Sequence, residues 1–579
     1  MPTIAETLAT AIEHHRAGRL QVAEQIYRQI LAVEPNQPDA WHLLGLIAYQ
    51  VGKHAMAIEY MAYAIRLKPG VAAYHSNLGL AHRALGKLEE AAACWRRAVD
   101  LEPDSAEAHN NLGNVLLEQG KPGEAVAWLR LAVQRKPDHA QAQKALGIAL
   151  RELGKLDEAV ACLQRLLQQW PDYAEAHNSL GNTLRKQEKL EPAAACYRRA
   201  IELKPDFAEA HNNLGLTSKD LGELETAVAC CRRAIELLPG YADAHNNLGN
   251  ALTYQGKPEE AVACYEQALQ CKADHADAHF NRSLVWLQQG DFDRGWPEYE
   301  WRRRMMEFRP PPFPQPLWDG RPALGQTILL YAEQGFGDTL QFVRYASLVK
   351  RPGVKVVVQC PRALLRLLAI CPGVDEAIGS GEDLPAFDFH APLLSLPGIF
   401  HTSLETIPAV VPYLFADLGL VERWRAELAP VAGFKIGIFW RGTTTDPARI
   451  IPPGCFESLA GLPGVRLMSL QKGPGAAQLQ DRAGRFPIVE VGSRLDDFMD
   501  TAAVLRNLDL LIACDTAVAH LAGALGVPVW VALPFAADWR WLLHRSDSPW
   551  YPTMRLFRQQ RPGDWAGVFE AIRAALASR

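Results

Sequence analysis

LDLLIACDTAVAHLAGALGVPVW, residues Leu508–Trp530, is an apolar run, a polar turn, a small-residue helix and a second apolar run. Leu508–Ala513 has the length and composition of a buried strand. Asp515 and Thr516 are residue types that start helices. Ala517–Leu525 is then a helix stopped by Gly526 and Pro528, and Val529–Leu533 is the next strand. A strand, helix and strand in this order form one unit of a parallel α/β layer. Its turn sets free backbone N–H groups and the positive end of a helix at the carboxyl edge of the sheet, where such folds collect phosphate.

The same alternation extends outward from Gly325 to the end of the chain. In a first lobe, Thr327–Ala332, Val354–Cys360 and Asp388–Leu394 read as strands, and Thr339–Lys350 and Arg362–Ile370 as helices. In a second lobe, Phe434–Trp440 and Val465–Leu470 are strands, Asp496–Asn507 leads into the opening stretch, and Trp565–Ala577 is the last helix. Strand ends carry the polar groups. Glu333, Gln334, Gly335 and Asp338 follow the first strand; Trp440, Arg441, Gly442 and Thr443–Thr445 close the Phe434 strand; Gln471, Lys472 and Gly473 follow Val465–Leu470. A lysine at such an edge neutralises a diphosphate, and a tryptophan, an arginine and hydroxyls suit a sugar nucleotide. Asp338 has two readings, general base or cap of its helix, and Glu333 is its local rival as base.

Asp515-Thr516, three residues, His520 and then LAGALGVPVW resemble the nucleotide-sugar motif of bacterial heptosyltransferases, with Ala517 where that family carries glycine. Gly337-Asp338-Thr339-Leu340 is similar to the Gly-Asp-Val-Leu of the same family, although Gln334-Gly335 stand where it shows Ser-Ser. The resemblance implies a GT-B glycosyltransferase of two Rossmann-like lobes. It implies Asp338 as base, and Trp440, Arg441, Gly442, Gln471, Lys472, Asp515, Thr516, Ala517 and His520 around the donor. No Asp-x-Asp appears in the proposed cleft stretches, so stabilisation of the leaving group by the helix N-terminus and Lys472 without a metal is expected, with the nucleotide sugar as co-substrate and no cofactor.

The N-terminal half is periodic. Gly45, Gly79, Gly113, Gly147, Gly181, Gly215 and Gly249 recur every 34 residues, in register with Pro35 to Pro239 and Ala91 to Ala261. These columns resemble tetratricopeptide repeats, which implies paired antiparallel helices stacked as an α-solenoid. Worn repeats, with Ala11 and Ser283 at the glycine position, flank the array. His75, His109, His177, His211, His245 and His279 form a further column whose even spacing argues against a metal cluster. Cys94, Cys162, Cys196, Cys230 and Cys264 read as packing thiols. Asn77, Asn111, Asn213, Asn247 and Asn281, two residues before the glycine position, resemble the lumen asparagines of O-linked N-acetylglucosamine transferase, which implies contact with the backbone of a polypeptide.

Charge and composition bound the rest. With 579 residues, a net charge of -5 and eleven cysteines in no metal-binding spacing, nothing points to nucleic acid or to a disulfide framework. No run of eighteen apolar residues exists, and a soluble, cytoplasmic protein is expected. The expected domains are the repeats over 1–300, a Pro-rich junction over 301–320, a first lobe over 321–430 and a nucleotide-sugar-binding lobe over 431–579. The leading expectation is a glycosyltransferase that modifies a protein acceptor held by the repeats; the alternative is a protein-binding adaptor with a silent GT-B half.

Overall fold

The computed structural model describes residues 3–305, 311–442, 447–480 and 487–578. The chain divides into two compact units, Met1–Leu238 and Pro239–Arg579. Among the described residues the first unit is fourteen α-helices, from Ile4–Arg16 to Leu224–Leu237, in antiparallel pairs. The glycine column has a steric origin. A Cβ on Gly181 would lie 2.6 Å from the Tyr197 ring, and one on Gly113 would lie 2.5 Å from Leu129. Each glycine thus makes room for the side chain sixteen residues later, large in every case but Cys231 opposite Gly215, and the helix pair closes over it. The histidine column is also structural. Trp41, His75, His177 and His211 each place a ring nitrogen 2.8–3.0 Å from the carbonyl of the proline six residues earlier, at Pro35, Pro69, Pro171 and Pro205. Gln143 does the same to Pro137 with its amide. What recurs is an N–H donor for an orphan turn carbonyl, not an imidazole.

The second unit begins with two helical pairs, Ala242–Tyr254 with Pro258–Cys271 and Ala276–Gln289 with Phe292–Tyr299. A 3-10 turn, Glu300–Arg304, ends them. Two parallel sheets follow. The first has strands β1 (Thr327–Tyr331), β2 (Lys355–Cys360), β3 (Glu376–Gly379) and β4 (Phe389–Pro392) in the order β3-β2-β1-β4. The second has β5 (Phe434–Phe439), β6 (Val465–Ser469), β7 (Ile488–Glu490), β8 (Leu510–Ala513), β9 (Val529–Leu533) and β10 (Met554–Arg558), ordered β10-β9-β8-β5-β6-β7. Read in chain order, the second sheet has the doubly wound 3-2-1-4-5-6 arrangement of dinucleotide-binding folds, and the first has its 3-2-1-4 portion.

Three expectations need correction. The helix expected over Thr339–Lys350 begins earlier, at Phe336–Phe342, and breaks into a 3-10 turn and a short helix, Ala346–Val349. Phe389–Pro392 is the fourth strand of its sheet, because Glu376–Gly379 intervenes. Arg362–Ile370 contains only a 3-10 turn and the four-residue helix Leu365–Leu368. The opening stretch folds as expected, with a helix at Ala517–Ala524 between β8 and β9. The aromatic segment before residue 305 packs inward: Trp296 donates to the Thr402 carbonyl at 2.8 Å and meets Trp539 edge-on at 5.4 Å.

Candidate functional site

The carboxyl edges of both sheets open on one cavity of about 610 Å³. The segments after β1 (Gln334–Asp338), β5 (Arg441, Gly442), β6 (Lys472, Gly473), β8 (Asp515–Val518, His520) and β9 (Asp538, Arg540) all line it. In each sheet the chain reverses its winding beside the central strand, between β1 and β4 and between β5 and β8. That is where an open α/β sheet leaves a crevice for a ligand.

Thr516 sits at the N-cap of the Ala517–Ala524 helix but makes no side-chain cap bond, and its hydroxyl is buried without a partner among the described residues. The first N–H groups of this helix are therefore left to the cavity, which Ala517 and Val518 line. The Phe336–Phe342 helix packs directly against the Ala517–Ala524 helix. Gly337 approaches so closely that a Cβ there would lie 3.0 Å from His520 Cδ2.

A chain of ion pairs crosses the cavity floor. Asp515 pairs with Arg449, whose guanidinium also lies 3.7 Å from Asp538. Asp538 pairs with Arg540 at 2.8 Å, and Arg540 pairs with Asp338. His520 Nε2 lies 3.8 Å from Asp515. Burial pushes the Asp338 carboxyl above its ordinary value against the pull of Arg540. Burial acts in the same direction on Asp538, but Arg540 and Arg449 outweigh it and hold that carboxyl low. Burial, aided by Arg540, Arg344 and Arg449, lowers the His520 imidazole to about 3, so the ring is neutral. Asp338 also accepts the Gly335 N–H at 2.9 Å. It therefore caps its helix and faces the cavity at once.

Of the residues expected around the donor, Asp338, Arg441, Gly442, Lys472, Asp515, Thr516, Ala517 and His520 are brought together in this lining. Lys472 is held by the carbonyls of Leu495 and Asp496, the latter at 3.2 Å. Arg441 has a buried Nε without a partner among the described residues. Three others stand elsewhere. Trp440 is fully buried among Ile438, Ile451 and Phe456, with its indole N–H donating to Gln478 at 3.0 Å. Gln471 is buried behind the wall, where its Oε1 accepts the N–H groups of Trp440 and Arg441 at 3.2 and 3.0 Å, bracing the ends of β5 and β6. Glu333 is turned away into an ion pair with fully buried Arg302 at 2.8 Å. Thr443–Thr445 lie outside the described residues.

Arg449, Asp538 and Arg540 were not singled out from the sequence. The signal for two of them was available, since Asp538 and Arg540 follow strand Val529–Leu533 and so lie at the same carboxyl edge. Phe336 and Phe498 also line the cavity, their rings in edge contact at 5.2 Å. Among the described residues no cluster of three or more His, Cys, Asp or Glu side chains is placed to hold a metal ion.

In the repeats, Asn213 donates to Asn178 and Asn281 to Asn246, each at 3.0 Å, while Asn77 lies 2.9 Å from a ring nitrogen of His42. Asn111 accepts from Asn110 at 3.4 Å. These amides, and that of Asn247, are half-buried. Asn77, Asn213 and Asn281 thus tie successive repeats together, and each asparagine of the column stays partly open.

The helical pairs are tetratricopeptide repeats. Profiles of that description match residues 8–72 and 76–140, 147–187 and 181–219, and 206–274. Protein FlbA of Caulobacter vibrioides is 26% identical over 335 residues, which is 51% of this chain and 54% of that protein. The chain therefore spans about half the length of this curated relative. Among solved structures, a chain of the APC/C hetero-tetramer Cut9-Hcn1 is 17% identical, with a TM-score of 0.38 over 48% of this chain and 55% of that one. YrrB, described as a TPR protein with an unusual peptide-binding site, is 24% identical, with a TM-score of 0.27 over 32% of this chain and 96% of its own. No described helix is long and apolar enough to cross a membrane.

Proposed function

We propose that the protein is a GT-B glycosyltransferase that moves a sugar from a nucleotide sugar to a protein acceptor held by its repeats. One observation carries the reading: the carboxyl edges of two Rossmann-type sheets meet at one cavity that an uncapped helix N-terminus, Arg441 and Lys472 all line. In the reaction, Asp338 takes the proton of the acceptor hydroxyl as that oxygen attacks the anomeric carbon. The bond to the nucleotide diphosphate breaks on the opposite side. The helix N-terminus, Arg441 and Lys472 stabilise the departing charge without a metal. Both Asp338 oxygens are engaged, by Arg540 and by Gly335 N–H, yet a carboxylate has further lone pairs to offer. The asparagine column, Asn77, Asn111, Asn213, Asn247 and Asn281, supplies sequence-tolerant hydrogen bonds to the acceptor backbone.

The test is nucleotide release from a panel of nucleotide sugars in the presence of candidate polypeptides. Asp338→Asn is expected to lower turnover by roughly 10²–10⁴-fold. Full turnover by that variant would remove Asp338 from the mechanism. A second reading, a protein-binding adaptor with a silent α/β half, is favoured by the closed ion-pair chain, in which Asp338, Asp515 and Asp538 already occupy Arg449 and Arg540. Absence of any nucleotide binding would select it.

A further inference from the structure

His520 is the one imidazole among the described residues that line the cavity, and its two nitrogens face different surroundings. Nδ1 lies 3.0 Å from the hydroxyl of fully buried Tyr551. The Cδ2–Nε2 edge faces Gly337 and Asp515, with Nε2 3.8 Å from the Asp515 carboxylate. The ring stacks on Trp541 with centroids 5.3 Å apart, which fixes its plane. Behind Tyr551, Arg344 donates to Tyr413 at 2.9 Å, and Tyr413 donates to the Leu340 carbonyl at 2.9 Å. The Arg344 guanidinium lies over the Tyr551 ring at 4.6 Å.

We infer that Tyr551 is a positioning residue that donates to Nδ1 and so holds His520 as the Nε2–H tautomer, a neutral donor aimed at an anionic oxygen bound in the cavity. The proton count supports this. A lone pair on Nε2 would face the Asp515 carboxylate, which is repulsive, whereas an N–H there is attracted to it. At 3.8 Å the Asp515 oxygen is too distant to satisfy that N–H, which is left for an oxygen bound in the cavity. The charged groups around the ring are Asp515, Asp538, Arg344, Arg449 and Arg540. The arginines and burial keep the imidazole neutral, so the donor does not depend on pH near neutrality. A neutral donor contributes without adding a fixed charge that would hold the product diphosphate.

The ligand in this inference rests on the nucleotide-sugar reading; the tautomer does not. The experiment uses the full chain labelled with ¹⁵N-histidine, with the His520 signals assigned by difference against His520→Gln. Pyrophosphate binding is measured on the same samples by calorimetry. The wild type is expected to show a protonated Nε2 and an unprotonated Nδ1, invariant from pH 5 to 8. Tyr551→Phe is expected to mix the tautomers and to weaken pyrophosphate about tenfold, the worth of one hydrogen bond to a charged group. A wild-type ring protonated at Nδ1 overturns the inference, and that readout needs no variant to fold. An unchanged tautomer in Tyr551→Phe overturns it too. Wild type that keeps the Nε2–H tautomer yet ignores pyrophosphate overturns the diphosphate reading and upholds the positioning role of Tyr551.

Discussion

Single residues in this chain often serve packing and chemistry together. Asp338 caps the Phe336–Phe342 helix and still faces the cavity, so the two readings of it in the sequence are compatible. Glu188 is a simpler case. It has φ +62° where the neighbouring repeats place Gly154 and Gly222 at +79° and +80°. Glu188→Gly is therefore expected to raise stability by about 1 kcal/mol, read from denaturant unfolding. Gly181→Ala should act oppositely, costing about 1–3 kcal/mol, because the new methyl meets the Tyr197 ring at 2.6 Å. Among the cavity-lining residues, strand-end position singled out Asp338, Lys472 and Asp515 in the sequence, and the motif resemblance singled out His520, which lies inside a helix. Pairing was not legible: nothing local in the sequence says that Arg449 meets Asp515, or that Gln471 turns inward to brace the backbone at Trp440 and Arg441.

At the level of elements, what could be read followed burial. β5, β8 and β9 are central and apolar, and each was evident as a run of buried residues. β3 and β7 lie at sheet edges and are short, and β10 carries Arg555 and Arg558, so none shows an apolar pattern long enough to stand out. The turn after the last repeat helix is tied to the first sheet by Arg302, fully buried between Glu300 at 2.7 Å and Glu333 at 2.8 Å. Arg302→Ala should cost about 3–5 kcal/mol because it leaves buried Glu333 uncompensated, and Arg302→Met with Glu333→Leu should recover most of that loss. Asp538 gives the site a pH dependence. Its carboxyl is held below its ordinary 3.8, so its stabilising contribution is complete above that value and is lost as pH falls through the lower folded-state value. Asp538→Asn is expected to unfold more easily than wild type at neutral pH, with the gap narrowing below about pH 4 in acid titrations.

For the molecule as a whole, Pro239–Arg579 is compact by itself, and its leading helical pairs belong to it. Trp296 and Tyr299 pack on Trp539, which lies between the cavity residues Asp538 and Arg540. A fragment of residues 239–579 should therefore fold and keep any nucleotide affinity of the full chain, whereas one beginning at residue 321 should lose it by uncovering Trp539. Nucleotide-sugar binding in the cavity between the two sheets, as proposed, is tested most directly by calorimetric titration of the full chain with UDP-, ADP-, GDP- and CMP-sugars, beside Lys472→Ala. Saturable one-site binding of one nucleotide class, weakened about tenfold or more in the variant, is the predicted result. Binding of none of them, or equal binding by wild type and variant, would contradict it.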